Sequence, residues 1–130
     1  MPIHDGAERG SLNHRVAIVT GGGSGIGQAI ALLFAKHGAR VGILDVASAT
    51  ETVRHINRDG GSALHVECDV ARQDEVVGAF TSIVAQFGPP DILVNCAGVA
   101  HVGTIEQTTE EDLDRVYAVN VKGVYNALRS

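Results

Sequence analysis

The residues with most to say about chemistry are glycines. Between Thr20 and Gly27 the chain reads Thr-Gly-Gly-Gly-Ser-Gly-Ile-Gly, a run that suits the interior of neither a helix nor a strand. A β-branched stretch, Val16–Thr20, leads into it. Apolar positions at helical spacing (Ile26, Ala29, Ile30, Leu33 and Phe34, with His37 completing the row) lead out of it. Glycines at such a strand-to-helix junction serve a tight turn, a close backbone approach to a pyrophosphate, and close helix–strand packing. The anion then faces the free N–H groups and the positive dipole end of the helix. A glycine loop alone is weak evidence. Here a strand before it, a helix after it and an acid about 20 positions on supply the confirming context.

That acid is Asp45, which closes the next apolar run. Its carboxylate can accept hydrogen bonds from both hydroxyls of an adenosine ribose, and it would repel a 2′-phosphate. No Lys or Arg lies inside the loop and none directly follows Asp45, so NAD is expected in preference to NADP. The competing reading of Asp45 is an ordinary exposed turn residue. A P-loop is excluded because the Lys that must close such a run is missing. A methyltransferase-like sheet also places an acid after its second strand, but its glycine loop is a tighter alternation than the gap from Gly21 to Gly25.

The elements that must position these residues follow from periodicity and punctuation. Strands are expected at 16–20, 41–44 (ending in Asp45), 63–68 and 92–94. Helices are expected from Ile26 to a Gly38 C-cap, over 48–59 before Gly60-Gly61, and along Val76, Phe80, Ile83, Val84 and Phe87 to the stop at Gly88-Pro89-Pro90. A last helix begins near Thr108 or Thr109 and runs to the end, with Glu110, Glu111 and Asp112 suiting the positive end of its dipole. Strand and helix alternate throughout, which demands right-handed crossovers and a parallel sheet covered on both faces. The fold class is α/β, doubly wound and Rossmann-like. Along the last helix Leu113, Val116, Tyr117, Val121, Val124 and Leu128 form an apolar stripe, and Asn120 falls inside it. Burying an amide without partners costs about 1–3 kcal/mol. Asn120 is thus either a well-bonded core residue, which the bare residues favour, or a functional one.

Composition bounds the rest. With 130 residues, 45% hydrophobic and 19% charged, the chain is one domain's worth of globular protein: a flexible tail over 1–14, then a dinucleotide-binding domain over 15–130. A net charge of −5 argues against a nucleic-acid partner. Nothing approaches ~18 consecutive apolar residues, so no membrane span is expected. No apolar core of a signal peptide is present near the start, which leaves a cytoplasmic address by default. Six histidines are scattered without the spacing of zinc ligands, so no metal site is expected.

Taken together and in order, these pieces resemble the short-chain dehydrogenase/reductase family from about Arg15 to Ser130. The resemblance implies that Gly21, Ser24, Gly25, Ile26 and Gly27 form the pyrophosphate loop and that Asp45 binds the ribose. Asp69-Val70 resembles the family's Asp-hydrophobic pair, whose carboxylate contacts the adenine amino group. Asn95-Cys96-Ala97-Gly98 resembles its Asn-Asn-Ala-Gly, implying that Asn95, Ala97 and Gly98 support the sheet and line the cofactor. Cys96 departs from that pattern and removes an amide. The stretch 119–126 resembles the segment around the family's catalytic Asn, which falls on Asn120 and keeps a water in a proton relay.

The same resemblance implies hydride exchange between NAD(H) and an alcohol/carbonyl pair, and pairing with a second copy through the last helix. It implies the strand order 3-2-1-4, cut after the helix that follows the fourth strand. Cys68 and Cys96 then end strands roughly 14 Å apart, too far for a disulfide, and are expected as free thiols. The family's Ser, Tyr and Lys fall beyond Ser130, so this stretch alone is expected to be inactive. Tyr125 with Arg129 sits in the wrong element to replace them. The alternative reading is a non-catalytic dinucleotide-binding or interaction protein.

Overall fold

A computed structural model describes residues 10–98 and 104–130. Strands β1 (Val16–Thr20), β2 (Arg40–Asp45), β3 (Ser62–Glu67) and β4 (Ile92–Asn95) alternate with helices α1 (Gly25–Lys36), α2 (Thr50–Arg58) and α3 (Gln73–Phe87). A final helical stretch comprises α4 (Glu110–Tyr117), a π-helical turn (Ala118–Lys122) and α5 (Gly123–Arg129). Every strand pair is parallel, and the order is β3-β2-β1-β4, as expected. Thr20 lies level with both Leu44 and Asn95. The glycine loop, Asp45 and the 95–98 segment therefore all leave the sheet at its C-terminal edge, where ligands of open α/β sheets bind.

Both faces of the sheet are covered, which is why the central strands β1 and β2 read as apolar runs. Val16, Ile18 and Leu44 pack with Val76, Phe80 and Ile83 on one face, and Ala17, Val19, Val41 and Ile43 pack with Ala31 and Ile56 on the other. Helix α3 approaches so closely that a Cβ at Gly42 would stand 2.6 Å from a methyl of Ile83. At the opposite edge of the sheet from the site, Asp91 receives the Val16 N–H at 2.9 Å and fixes the start of β1. Residues 10–14 form turns ahead of β1, with Leu12 against the core. Residues 1–9 of the expected tail, and His101, lie outside the described residues. No helix among the described residues is long and apolar enough to cross a membrane.

Two helix faces differ from expectation. In α1 the buried residues are Gly27 and Ala31, while Ile26 and Leu33 are exposed. The helix lies on the sheet through its smallest residues, because the glycine loop draws its first turn against the backbone. In the last helix, Leu113, Tyr117, Val121, Tyr125 and Leu128 are exposed, and the inward face is Gly123, Asn126 and Ala127. Asn120 is exposed, not buried in a stripe; the buried amide of this helix is Asn126. A π turn at 118–122 adds a residue to one turn, but Leu113 and Tyr117 before it are exposed like Val121 within it and Leu128 after it, so most of the stripe faces away from the sheet. The start of the helix is where expected: Thr109 accepts the Asp112 N–H, and the Asp112 carboxylate accepts the Thr109 N–H, each at 3.0 Å.

Candidate cofactor site

The C-terminal edge opens into a cleft of about 360 Å³. Its walls contain Gly21, Ser24, Ile26, Gly27, Asp45, Asp69, Val70, Ala97 and Gly98, all expected from the sequence, together with Leu44, Val46, Cys68, Cys96 and Val119. Of the other expected residues, Gly25 sits in the loop itself and Asn95 closes β4 just outside the lining. Asn120 reaches the same wall from the π turn: its Oδ1 lies 3.3 Å from where a Gly98 Cβ would stand. A larger groove, about 950 Å³, lies at the other end of the sheet between the C-terminal halves of α1 and α2 and contains none of these residues.

The loop is shaped by contacts that side chains would forbid. Gly21 has φ +72°, and a Cβ there would stand 2.8 Å from the Ala97 nitrogen. A Cβ on Gly27 would run into the Gly21 carbonyl oxygen. Gly25 is different: at φ +57° a Cβ would meet nothing within 4 Å, so this glycine faces open space. Ser24, the residue before α1, makes no side-chain capping hydrogen bond. The first N–H groups of α1 have no intrahelical partners, so an uncapped helix end points out of the loop where an anion would be welcome.

Asp45 is tied to that loop. Its Oδ2 accepts the Gly23 N–H at 2.9 Å and its Oδ1 accepts the Ala47 N–H at 2.9 Å. Each carboxylate oxygen keeps a further acceptor site, enough for a diol. The Asp45 carbonyl is 3.0 Å from Nε2 of His65 on β3. Across the cleft, Asp69 Oδ1 accepts the Ala71 N–H at 3.0 Å, while its own N–H donates to Glu75 Oε1 at 3.0 Å. Burial pushes the neighbouring Cys68 thiol up to about 11, with the charges of Glu75 and Asp69 adding to the effect. Cys68 is therefore an inert, protonated filler. Cys68 and Cys96 are both free, as their places on the two outer strands require.

Several supporting residues gave no clear signal in the sequence. Buried Thr20 accepts the Cys96 and Ala97 N–H groups on Oγ1, at 3.0 and 3.1 Å, and so fixes the 95–98 segment to the end of β1. A hydroxyl ending an otherwise apolar strand could have drawn attention to it. Buried Thr52 donates to the Gly22 carbonyl at 3.0 Å and accepts from Gln28 Nε2 at 3.1 Å. Nothing in the amphipathic pattern of α2 distinguishes that Thr from its neighbours. Among the described residues, no three His, Cys, Asp or Glu side chains cluster as a metal site.

Residues 15–130 match the short chain dehydrogenase family model. An uncharacterized oxidoreductase of Thermotoga maritima is 46% identical over 113 residues, which are 85% of this chain and 44% of that protein. Momilactone A synthase of Oryza sativa is 39% identical, over 94% of this chain and 45% of its own length. Among solved structures, a short chain dehydrogenase from Mycobacterium avium superposes with a TM-score of 0.89 at 39% identity, covering 92% of this chain and 45% of that one. A dehydrogenase/reductase from Sinorhizobium meliloti gives a TM-score of 0.91 at 36% identity, with 97% and 52% covered. The chain spans about half the length of the relatives it matches. The family match, the relatives and the superpositions agree, and the chain belongs to the short-chain dehydrogenase family.

Proposed function

We propose that this chain is the cofactor-binding half of an NAD(H)-dependent oxidoreductase acting on an alcohol/carbonyl pair. The observation that carries the reading is the make-up of the cleft: among the described residues its only charged side chains are Asp45 and Asp69, and no Lys or Arg lines it. A free ribose diol suits such a wall, whereas a 2′-phosphate beside Asp45 would face repulsion with no cation to offset it.

The residues present fit a dinucleotide. The uncapped start of α1 and the open face of Gly25 would receive the pyrophosphate, and Asp45 would hold the adenosine ribose. Val46 and Val70 would flank the adenine ring with Asp69 at its amino edge. Ile26, 77% exposed although apolar, is a side chain that gains cover when a ligand lies across the loop. Ala97 and Gly98 would offer backbone towards the nicotinamide end, where Asn120 would hold a water for proton transfer. The cofactor, when bound, supplies the hydride acceptor or donor. A polypeptide of these 130 residues would bind it without turning over alcohols, because the acid/base Tyr, Lys and Ser implied by the family likeness are not among them.

Fluorescence titration of the protein with NADH and with NADPH tests the preference. NADH should bind more tightly; equal or tighter NADPH binding would overturn it.

A further inference from the structure

Among the described residues, one buried amide is not used by the cofactor reading. Asn126 is 3% exposed, and its Nδ2 donates to the Val70 carbonyl at 2.8 Å. Val70 lines the cleft beside Asp69. The same corner is gripped a second time, because a Cβ on Gly123 would stand 2.6 Å from Cγ2 of Val70. Ala127 completes this face and is buried in the cluster that contains Val70 and Cys68.

We propose that Asn126 is a positioning residue: its buried amide ties the Asp69–Val70 corner of the cofactor cleft to the helix that carries Asn120. The inference rests on the dinucleotide reading of the cleft and adds a role within it. Asp69 is steered locally by the Ala71 N–H and by Glu75, but both of those contacts belong to the same corner and travel with it. Asn126 adds a polar contact that joins the corner to a distant part of the chain, 56 residues on. At the other end of the connection, α5 continues directly from the π turn. The helix is thus the anchor, and the Asp69–Val70 corner is the part that Asn126 and Gly123 hold in place. The adenine end of the site is therefore the end that depends on this side chain.

An amide suits this task better than a hydrophobe of the same size. A Leu would fill the space but leave the Val70 carbonyl without its donor, at a cost comparable to that of a buried unpaired group. The corner would then relax towards water. The expected signature is selective, because the pyrophosphate loop is held by other residues, Thr52 and Asp45.

The test uses the whole 130-residue chain, its Asn126→Leu variant, and three probes: NADH, AMP and reduced nicotinamide mononucleotide. Circular dichroism establishes folding before titration. Asn126→Leu should weaken AMP about tenfold, the value of one lost buried hydrogen bond, and leave the mononucleotide within about twofold. Gly123→Ala, which pushes Val70 without touching the amide, should give the same AMP-selective loss and decides the matter if Asn126→Leu does not fold. Unchanged AMP affinity in the folded variants, or equal loss for both half-molecules, overturns the assignment while NADH binding by the unsubstituted chain still stands. Failure of the unsubstituted chain to bind NADH overturns the cofactor reading itself.

Discussion

Asp45 is both a recognition group and part of the loop's scaffold, since its two oxygens hold the N–H groups of Gly23 and Ala47. Asp45→Arg should therefore do two things. It removes the repulsion of a 2′-phosphate and moves preference towards NADPH. It also releases the loop, so NADH affinity should drop roughly 10- to 100-fold, given ~1.5–3 kcal/mol for a hydrogen bond to a charged group. Titrations of the variant showing NADPH binding as tight as the native NADH binding would contradict the scaffold role. The glycines separate the two functions further. Gly27→Ala forces a methyl into the Gly21 carbonyl and should lower the melting temperature. Gly25→Ala meets open space, so the chain should fold at a cost of about 1–2 kcal/mol for its left-handed backbone and lose NADH binding, because the methyl occupies the anion's side of the loop. The thiols make a third contrast. Cys68 keeps its proton up to about 11, against an ordinary 9.0, so its contribution to stability is full below pH 9 and lost as pH rises through 11. Urea midpoints at pH 8 and pH 11 should differ more for the native chain than for Cys68→Ala. Iodoacetamide at neutral pH should label Cys96 in the cleft first.

At the scale of elements, the central strands β1 and β2 were legible because they are buried on both faces and read as apolar runs, while the outer strands β3 and β4 are only half-buried. The order of the motifs along them located the site: the glycine loop, Asp45, Asp69 and residues 95–98 all stand at strand ends. Helix faces were less legible. A stripe of large apolar residues marks the inward side only where large residues do the packing, and α1 meets the sheet through Gly27 and Ala31 instead. In the last helix the large apolar residues Leu113, Tyr117, Val121 and Leu128 face outward along its whole length, so the stripe through Asn120 marked the side away from the sheet. Asn126 was missed because the inward face carries the small and polar residues Gly123, Asn126 and Ala127. Outward-facing Leu113, Tyr117, Val121, Tyr125 and Leu128 form the row through which we propose that a second copy packs. Tyr117→Lys should then shift sedimentation towards the monomer, whereas a native chain that is strictly monomeric at all concentrations would remove the basis for that pairing.

For the whole molecule, β1 is enclosed between β2 and β4, while β4 has a partner on one side only among the described residues. Its free edge lacks a Lys or Pro to blunt it. Amides at 92–94 should exchange hydrogen faster than those at 16–20 in a dilute solution of these 130 residues, and equal protection would show that the sheet needs no neighbour there. The central claim is that the C-terminal edge of this sheet is a dinucleotide site, and amide chemical-shift mapping with NAD tests it most directly. Shifts should concentrate at 21–27, 45–47, 69–71 and 96–98, and Asp45→Arg should weaken them. Shifts confined to the groove between the ends of α1 and α2, or none at saturating NAD, would contradict the account.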